Sequence, residues 1–279
     1  MMQSIRTLLL SAGLVPALSW LAVTGLAATA GAAEPAAGPG RRLTAEAITR
    51  PEPASLTNLS RAQWRPGTAE VSFLRPVVRE GRTNAALWVH DVDTGRAEVL
   101  LEATVLPEKA RGALGGYSWF PDGRALLLVS ERNLHRVEVP GGRMTALTRD
   151  AAEEELPVIA PDGRRVAFVR SNDLHVVEVA SGRVTRLTRD GSRTRLNGRL
   201  DWVYDEEFRT MTGSPRAFEW SPDSRWLVFL SLDQATVPEH PITDFVAVHP
   251  RVTRQHYPKS GDSNAVPAVG VVAAGGCVG

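Results

Sequence analysis

This sequence contains very little cysteine and has a net charge close to zero. Its 279 residues contain one cysteine, Cys277, which excludes a disulfide within the chain and leaves the apolar core to hold the fold together. The formal net charge is +1, and Arg6 near the amino terminus accounts for it. The remainder therefore carries no basic field, which excludes nucleic acid as an expected partner.

Several motifs of catalysis are missing as well. The chain contains no Gly-x-Ser-x-Gly nucleophile elbow, and its nearest approach, Gly116-Tyr117-Ser118, lacks the closing glycine. It also has no phosphate loop, no zinc-binding pattern and no dinucleotide fingerprint. We therefore expect no catalytic residue, no metal and no cofactor in this chain.

The amino terminus has the pattern of a secretory signal peptide. Arg6 precedes an uncharged, largely apolar stretch that ends in small residues at Ala33. We interpret residues 1–33 as a signal peptide and expect an exported protein, periplasmic or secreted. The alternative is an uncleaved leader that anchors the chain, because the run is long enough to span a membrane. Residues 34–66 are rich in Pro, Gly and Ala and are predicted to be a linker.

The middle of the chain repeats itself at an interval of 40 residues. Pro121-Asp122-Gly123-Arg124 recurs as Pro161-Asp162-Gly163-Arg164, and residues 143–150 recur as 183–190. Each unit contains an Asp-Gly turn and short apolar or alternating runs that predict four strands. Four strands in about 40 residues are typical of a β-propeller blade, whereas a β-sandwich has no reason to repeat its turns.

We therefore predict an all-β fold, an incomplete β-propeller built of four-stranded blades, over residues 67–272. An atypical Ala- and Gly-rich tail is expected over residues 273–279. His90, His135 and His175 are interpreted as equivalent positions of the repeated strands. That placement favours a structural role for these histidines over a catalytic one.

An insertion breaks the repeat. The third turn, which begins at Pro222, follows Pro161 by 61 residues, so 21 extra residues lie between about Gly191 and Pro215. We expect the insertion to be a loop, and loops on a rigid scaffold commonly carry binding groups. It contains the sequence Asp201-Trp202-Val203-Tyr204-Asp205-Glu206-Glu207-Phe208, the densest acidic cluster that has aromatic neighbours.

Two adjacent carboxylates can share one ammonium ion, because an ammonium offers three donors. Partial desolvation by Trp202, Tyr204 and Phe208 would strengthen such binding. The alternatives are a solvated turn or an acidic pair neutralised by a nearby arginine, whereas a metal site would need further ligands at defined spacing. The other acidic run, residues 153–155, lacks aromatic company and is predicted to be a solvated loop.

The same acidic segment resembles the signature insertion of the dipeptidyl peptidase IV family of serine exopeptidases. The resemblance continues through Ala217-Phe218-Glu219-Trp220-Ser221-Pro222-Asp223, Thr236-Val237-Pro238 and Tyr257-Pro258-Lys259-Ser260-Gly261, followed by Asn264. It covers roughly residues 115–270 in order and with similar spacing.

This resemblance implies a propeller that sits over an α/β-hydrolase domain. It assigns Glu206 and Glu207 to the grip on the free amino terminus of a peptide substrate. It also implies an arginine from a preceding blade that holds the substrate carbonyl oxygen; Arg132 and Arg136 are both candidates. Asp205 stands where the family usually has Glu, and members of the family are expected to be homodimeric.

The expected function is that of a truncated dipeptidyl peptidase IV-like protein, whose propeller selects peptides with a free amino terminus. Its other partner would be the α/β-hydrolase domain that this chain lacks, so we expect the chain alone to be inactive. The parent activity would be proteolysis that releases amino-terminal dipeptides. The alternative is a stand-alone periplasmic binding module that resembles the TolB-like propellers.

Overall fold

The protein is described by a computed structural model that covers residues 60–212, 214–246 and 248–276. Within these residues the strands form four antiparallel sheets and one separate two-stranded hairpin. The predicted signal peptide, most of the predicted linker and residues 277–279 lie outside the described residues.

The first three sheets each contain four strands in chain order. The first sheet consists of β1 (Ser60–Trp64), β2 (Glu70–Arg79), β3 (Arg82–Asp91) and β4 (Ala97–Glu102). The second consists of β5 (Ser118–Trp119), β6 (Ala125–Ser130), β7 (Asn133–Glu138) and β8 (Met144–Ala146). The third consists of β9 (Glu155–Ile159), β10 (Arg165–Arg170), β11 (Asp173–Glu178) and β12 (Val184–Arg186). Two short 3-10 helices, Ala103–Val105 and Glu108–Gly116, connect the first sheet to the second.

The fourth sheet is built differently. It contains β13 (Arg195–Asn197), β14 (Phe218–Trp220), β15 (Trp226–Asp233) and β18 (Val266–Ala273). The one α-helix in the described part of the chain, α1 (Trp202–Thr212), lies between β13 and β14. The separate hairpin pairs β16 (Glu239–Asp244) with β17 (Arg251–His256).

Local sequence accounts for the regular strands of the second and third sheets. β6 pairs with β7 from Ala125↔Glu138 to Ser130↔Asn133, and β10 pairs with β11 in the same register 40 residues later. Two-residue turns with positive φ connect both pairs, as the right-handed twist of strands favours. Successive side chains along these strands point to opposite faces of the sheet, so each sheet can bury residues against the sheets on both sides of it.

The apolar core follows this alternation. Leu126 and Leu128 of β6 pack with the first sheet, whereas Leu127 of the same strand packs with Phe168 of the third. Residues of the third sheet such as Val169 pack in turn with the fourth sheet, in a cluster that includes Trp220. Four-stranded sheets that bury both faces against successive neighbours are the blades of a β-propeller. The predicted all-β, incomplete propeller is confirmed.

Two details differ from the sequence-based expectations. β1 lies inside the range predicted to be a linker, because Ser60–Trp64 pairs with β2 despite its position beside a Pro- and Gly-rich stretch. His90 is not equivalent to the other two histidines. Asp91 and Glu138 occupy equivalent positions before their Gly-Arg turns. Counting back three residues from each, the residue of β3 that is equivalent to His135 is Trp88, and not His90.

His135 and His175 do share one structural role. The Nδ1 atom of each ring lies within 3.1 Å of the backbone oxygen two residues earlier, Asn133 and Asp173 respectively. Burial lowers the pKa of both histidines, and the His175 ring stacks on Phe168 with 5.5 Å between the ring centres.

The Asp-Gly turns provide a test of how closely the sheets approach each other. Gly123 has a φ of +65°, and a Cβ added there would lie 2.4 Å from the backbone oxygen of Pro66. Gly81 has a similar φ of +73° but nothing within 4 Å of an added Cβ. We expect Gly123→Ala to lower the free energy of unfolding by about 2–4 kcal/mol, because it adds a backbone clash to the left-handed conformation.

Gly81→Ala is the matched control, since an alanine there adopts the same left-handed conformation but meets no neighbouring atom. We expect it to lower the free energy of unfolding by about 1 kcal/mol. Urea unfolding of both variants measures the difference. Equal losses of stability would contradict the close approach of the turn to Pro66.

Within the described residues, no helix is long and apolar enough to cross a membrane.

Candidate functional site

The insertion breaks the first strand of the fourth sheet into two pieces. β13 pairs with the carboxyl-terminal half of β15 and β14 with its amino-terminal half, while β18 pairs along the full length of β15. β13 and β14 therefore occupy one strand position, interrupted by residues 198–217. The position corresponds to β5 and β9, the first strands of the second and third sheets.

Backbone hydrogen bonds close the base of this insertion. The Gly198 amide donates to the Leu230 oxygen at 2.9 Å, and the Ala217 amide donates to the Gly198 oxygen at 3.0 Å. One residue further out, Arg199 and Arg216 form an isolated antiparallel bridge, and the Leu200 amide donates to the Pro215 oxygen at 3.0 Å. The insertion is thus a projection with a defined base.

The projection contains a helix, so the prediction of a loop is wrong. Asp201 precedes α1 and its Oδ1 accepts a hydrogen bond from the Tyr204 amide at 2.9 Å. The Asp201 backbone oxygen accepts another from the Asp205 amide at 2.9 Å. An aspartate in this position satisfies amides that a helix start leaves free and places negative charge at the positive end of the helix dipole.

Asp201 itself is buried, and its pKa reflects two opposing influences. Burial raises the pKa of its carboxyl group, while the hydrogen bond from the Tyr204 amide opposes the rise; the net shift is upward. Asp201 therefore serves the helix start and is not part of the exposed acidic surface.

Aromatic contacts fix the helix on the fourth sheet. Tyr204 packs against the apolar cluster of that sheet, which includes Leu196 and Leu232. Phe208, one turn later, stacks on Tyr204 with 5.7 Å between ring centres. Trp202 contacts Tyr257, which follows β17, with 4.1 Å between ring centres. These contacts pack α1 from its first turn.

Glu206 and Glu207 are exposed on this helix. At about 100° per residue, Glu206 points roughly 160° away from Tyr204 and Phe208, whereas Glu207 is turned only about 60–100° from them. Because both glutamates are nevertheless exposed, the expectation that the flanking aromatics would desolvate the pair is wrong. The two carboxylates are adjacent on the helix and open to solvent.

Residues 153–155, predicted to be a solvated loop, are partly buried. Glu154 is fully buried, accepts a hydrogen bond from the Thr148 hydroxyl at 2.6 Å and forms an ion pair with Arg170. Glu155 begins β9 and forms an ion pair with Arg199 at the base of the insertion. The prediction failed because the two arginine partners, Arg170 and Arg199, follow 16 and 44 residues later in the chain, beyond what a local pattern identifies.

The structure separates the two arginine candidates. Arg136 lies in the middle of β7, forms an ion pair with Glu138 at 3.1 Å, and lines a cavity of about 830 Å³ between the second and third sheets. Arg132 is exposed in the turn before β7, where its backbone oxygen accepts a hydrogen bond from the Glu154 amide at 3.0 Å. The corresponding turn of the third sheet contacts the residue that directly precedes the insertion, because the Asn172 backbone oxygen accepts a hydrogen bond from the Asn197 amide. Arg132 therefore lies at the same end of the sheets as the acidic helix.

The described part of the chain contains no group of three or more His, Cys, Asp or Glu side chains that could hold a metal ion.

The chain is similar to proteins of one peptidase family. Residues 151–276 match the sequence model of the family described as the dipeptidyl peptidase IV (DPP IV) N-terminal region. Two fungal proteins named "Probable dipeptidyl-aminopeptidase B" are similar over 194 residues, or 65% of this chain. The protein of Talaromyces marneffei is 33% identical and that of Chaetomium globosum 35% identical. The match covers 16% of each relative, so the chain corresponds to only a small part of their length.

Among solved structures, dipeptidyl peptidase 4 of Porphyromonas gingivalis superposes with a TM-score of 0.59 and 24% sequence identity. The superposition covers 75% of this chain and 30% of that protein. This likeness supports the propeller fold and nothing finer.

Proposed function

The chain belongs to the dipeptidyl peptidase IV family through the N-terminal region of that family, and we propose that this region selects peptides by their free amino terminus. In this proposal Glu206 and Glu207 bind the ammonium group of the peptide. The peptide bond would be cleaved by a serine peptidase domain that is not among these 279 residues, with release of an amino-terminal dipeptide.

The observation that carries the proposal is the placement of the acidic pair. Both glutamates are exposed on a helix that projects from the interrupted first strand of a blade. Packing of Tyr204 and Trp202 holds that helix in place. Both carboxylates are exposed, and neither forms an ion pair with another residue that the structure describes. Two carboxylates that share one ammonium can accept its three hydrogen bonds.

Solvent exposure limits what the pair can do without a peptidase domain. An ion pair in water contributes only about 0–1 kcal/mol, whereas charge-assisted hydrogen bonds in a covered site contribute about 1.5–3 kcal/mol. We therefore propose that tight selection of the amine requires a second surface over the helix. Arg132 would hold a substrate carbonyl oxygen from the neighbouring turn.

The test is the binding of a tripeptide, Ala-Pro-Ala with a carboxyl-terminal dye, to the full chain. We expect the free-amine form to bind about threefold to tenfold more tightly than its N-acetylated form at low salt, because acetylation removes the charge. Glu206→Gln and Glu207→Gln should each reduce this ratio. Fluorescence anisotropy measures all of these affinities.

Glu98→Gln is the control, since it removes one exposed carboxylate from β4 of the first sheet and changes the charge by the same amount. It should leave the ratio unaltered. A wild-type chain that binds both peptide forms equally, or a Glu98 variant that behaves like the Glu206 variant, would favour a binding module of another specificity.

A further inference from the structure

The bridge at the base of the insertion places two arginines directly opposite each other. Arg199 and Arg216 are antiparallel partners in this bridge, and side chains in such positions stand about 5 Å apart on the same face. Like charges in directly opposed positions destabilise a strand pair. The base of the acidic helix would therefore be strained unless each guanidinium had its own counter-ion.

The structure supplies both counter-ions, and they come from different places. Arg216 pairs with Glu219 of β14, at 2.8 Å and three residues away in the same sheet. Arg199 pairs with Glu155 of β9: its Nη1 lies 3.0 and 2.9 Å from the two carboxylate oxygens. The second contact joins the insertion to the first strand of the preceding sheet, 44 residues earlier in sequence.

We infer that the Glu155–Arg199 ion pair is a positioning contact that holds the acidic helix in register with the third sheet. This inference rests on the proposed function, in which the helix presents Glu206 and Glu207 to a peptide amine. Neither Glu155 nor Arg199 contacts the substrate in this scheme. Their effect is to fix where the acidic pair stands relative to the neighbouring blade, and so relative to Arg132.

The opposed arginines predict an unusual order of effects. Glu155→Gln removes the counter-ion and leaves two like charges facing each other across the bridge. Arg199→Gln removes the attraction to Glu155 and the repulsion from Arg216 together. The loss of the acid should therefore disturb α1 more than the loss of the base, although each variant breaks the same ion pair.

Hydrogen exchange of the α1 amides in the full chain measures this disturbance, because exchange reports local opening. We expect Glu155→Gln to speed exchange in α1 by roughly three- to fivefold and Arg199→Gln by less than twofold, as suits a pair that is one-third exposed. The charge swap Glu155→Arg with Arg199→Glu should restore slow exchange.

Asp233→Asn is the matched control. The Arg195–Asp233 pair has a similar exposure, 35% and 37% against 32% and 32%, and a similar distance of 3.0 Å. It lies at the opposite end of β13 from the insertion, so breaking it should leave exchange in α1 unchanged. The positioning role is overturned if Glu155→Gln leaves α1 exchange at the wild-type rate, or if Asp233→Asn speeds it equally.

The amine preference provides the second measurement. Glu155→Gln should lower the ratio of free to acetylated peptide affinity by about twofold or more, while the charge swap restores it. A wild-type chain with no amine preference would contradict the proposed function. Unchanged α1 exchange in Glu155→Gln would instead contradict the positioning contact, so the two failures are distinguishable.

Discussion

Replacing Glu206 or Glu207 with glutamine is expected to lower kcat/KM for dipeptide release by roughly 10- to 1000-fold. The expectation applies to an enzyme in which this propeller region replaces that of a fungal relative, so that a peptidase domain is present. A charge-assisted hydrogen bond contributes about 1.5–3 kcal/mol and an unpaired buried charge costs about 3–5 kcal/mol. At about 1.4 kcal/mol per decade, a loss of about 1.5–4 kcal/mol within these limits corresponds to the stated range.

The exposure of the pair decides where in this range the effect should fall. If the peptidase domain covers the helix and excludes water, the loss should approach the upper end. If the site stays as open as it is in the described residues, the lower end applies. The two glutamates share one ammonium, so the double variant should lose much less than the product of the two single losses.

Acetylation of the substrate amine is the matching control on the ligand. It should abolish cleavage by the parent chimaera but cost the glutamine variants much less in relative terms, because they have already lost the charge interaction. The variants should keep the melting temperature of the parent within about 2 °C, since both side chains are exposed. If parent and variants cleave free and acetylated substrates in the same ratio, the pair does not bind the amine.

Asp173→Ala is expected to cause the largest loss of stability of any single polar substitution proposed for this chain. Asp173 begins β11, is 1% exposed, and pairs with Arg186. It accepts hydrogen bonds from the Thr188 hydroxyl at 2.6 Å, the Gly191 amide at 3.0 Å and the Asn197 side chain at 3.2 Å. Because alanine would leave these donors without their acceptor, we expect the free energy of unfolding to fall by about 3–5 kcal/mol.

Asn133 provides a control at the same position of the preceding blade. Its Oδ1 accepts a hydrogen bond from the Asp150 amide at 2.7 Å, but it carries no charge and joins no second sheet through Asn197. Asn133→Ala should therefore cost only about 1–2 kcal/mol by urea unfolding. Similar losses for both alanine variants would contradict the importance of the buried carboxylate.

The pH dependence gives an independent check on Asp173. Burial alone would raise the pKa of its carboxyl group, but hydrogen bonds from Thr188, Arg186, Gly191 and Asn197 together lower it below the ordinary value of 3.8. A lowered pKa means that the carboxylate stabilises the fold above the unfolded value and that this contribution is lost as the pH falls through the folded one. The stability difference between wild type and Asp173→Asn should be constant above about pH 5 and shrink below about pH 4. A difference that stays constant down to pH 2.5 would contradict the lowered pKa.

Local sequence by itself determined the blades of this protein. Turns such as Pro161-Asp162-Gly163-Arg164 specify tight hairpins through residues that are adjacent in sequence, and apolar alternation specifies which face of a strand is buried. The acidic segment was recognisable for the same reason, since its residues are contiguous. The helical start at Asp201 also had a local signal, an aspartate just before an apolar-periodic run, which the expectation of a loop overlooked.

Only the tertiary structure decided the surroundings of the acidic pair. Tyr204 packs against the sheet and Trp202 against Tyr257, while Glu206 and Glu207 remain exposed. The burial of Glu154 and the ion pair from Glu155 to Arg199 depend on segments brought together by the stacking of blades. The Glu155–Arg199 contact joins the third sheet to the insertion of the fourth, and neither strand periodicity nor turn chemistry contains information about which side chains meet across that gap.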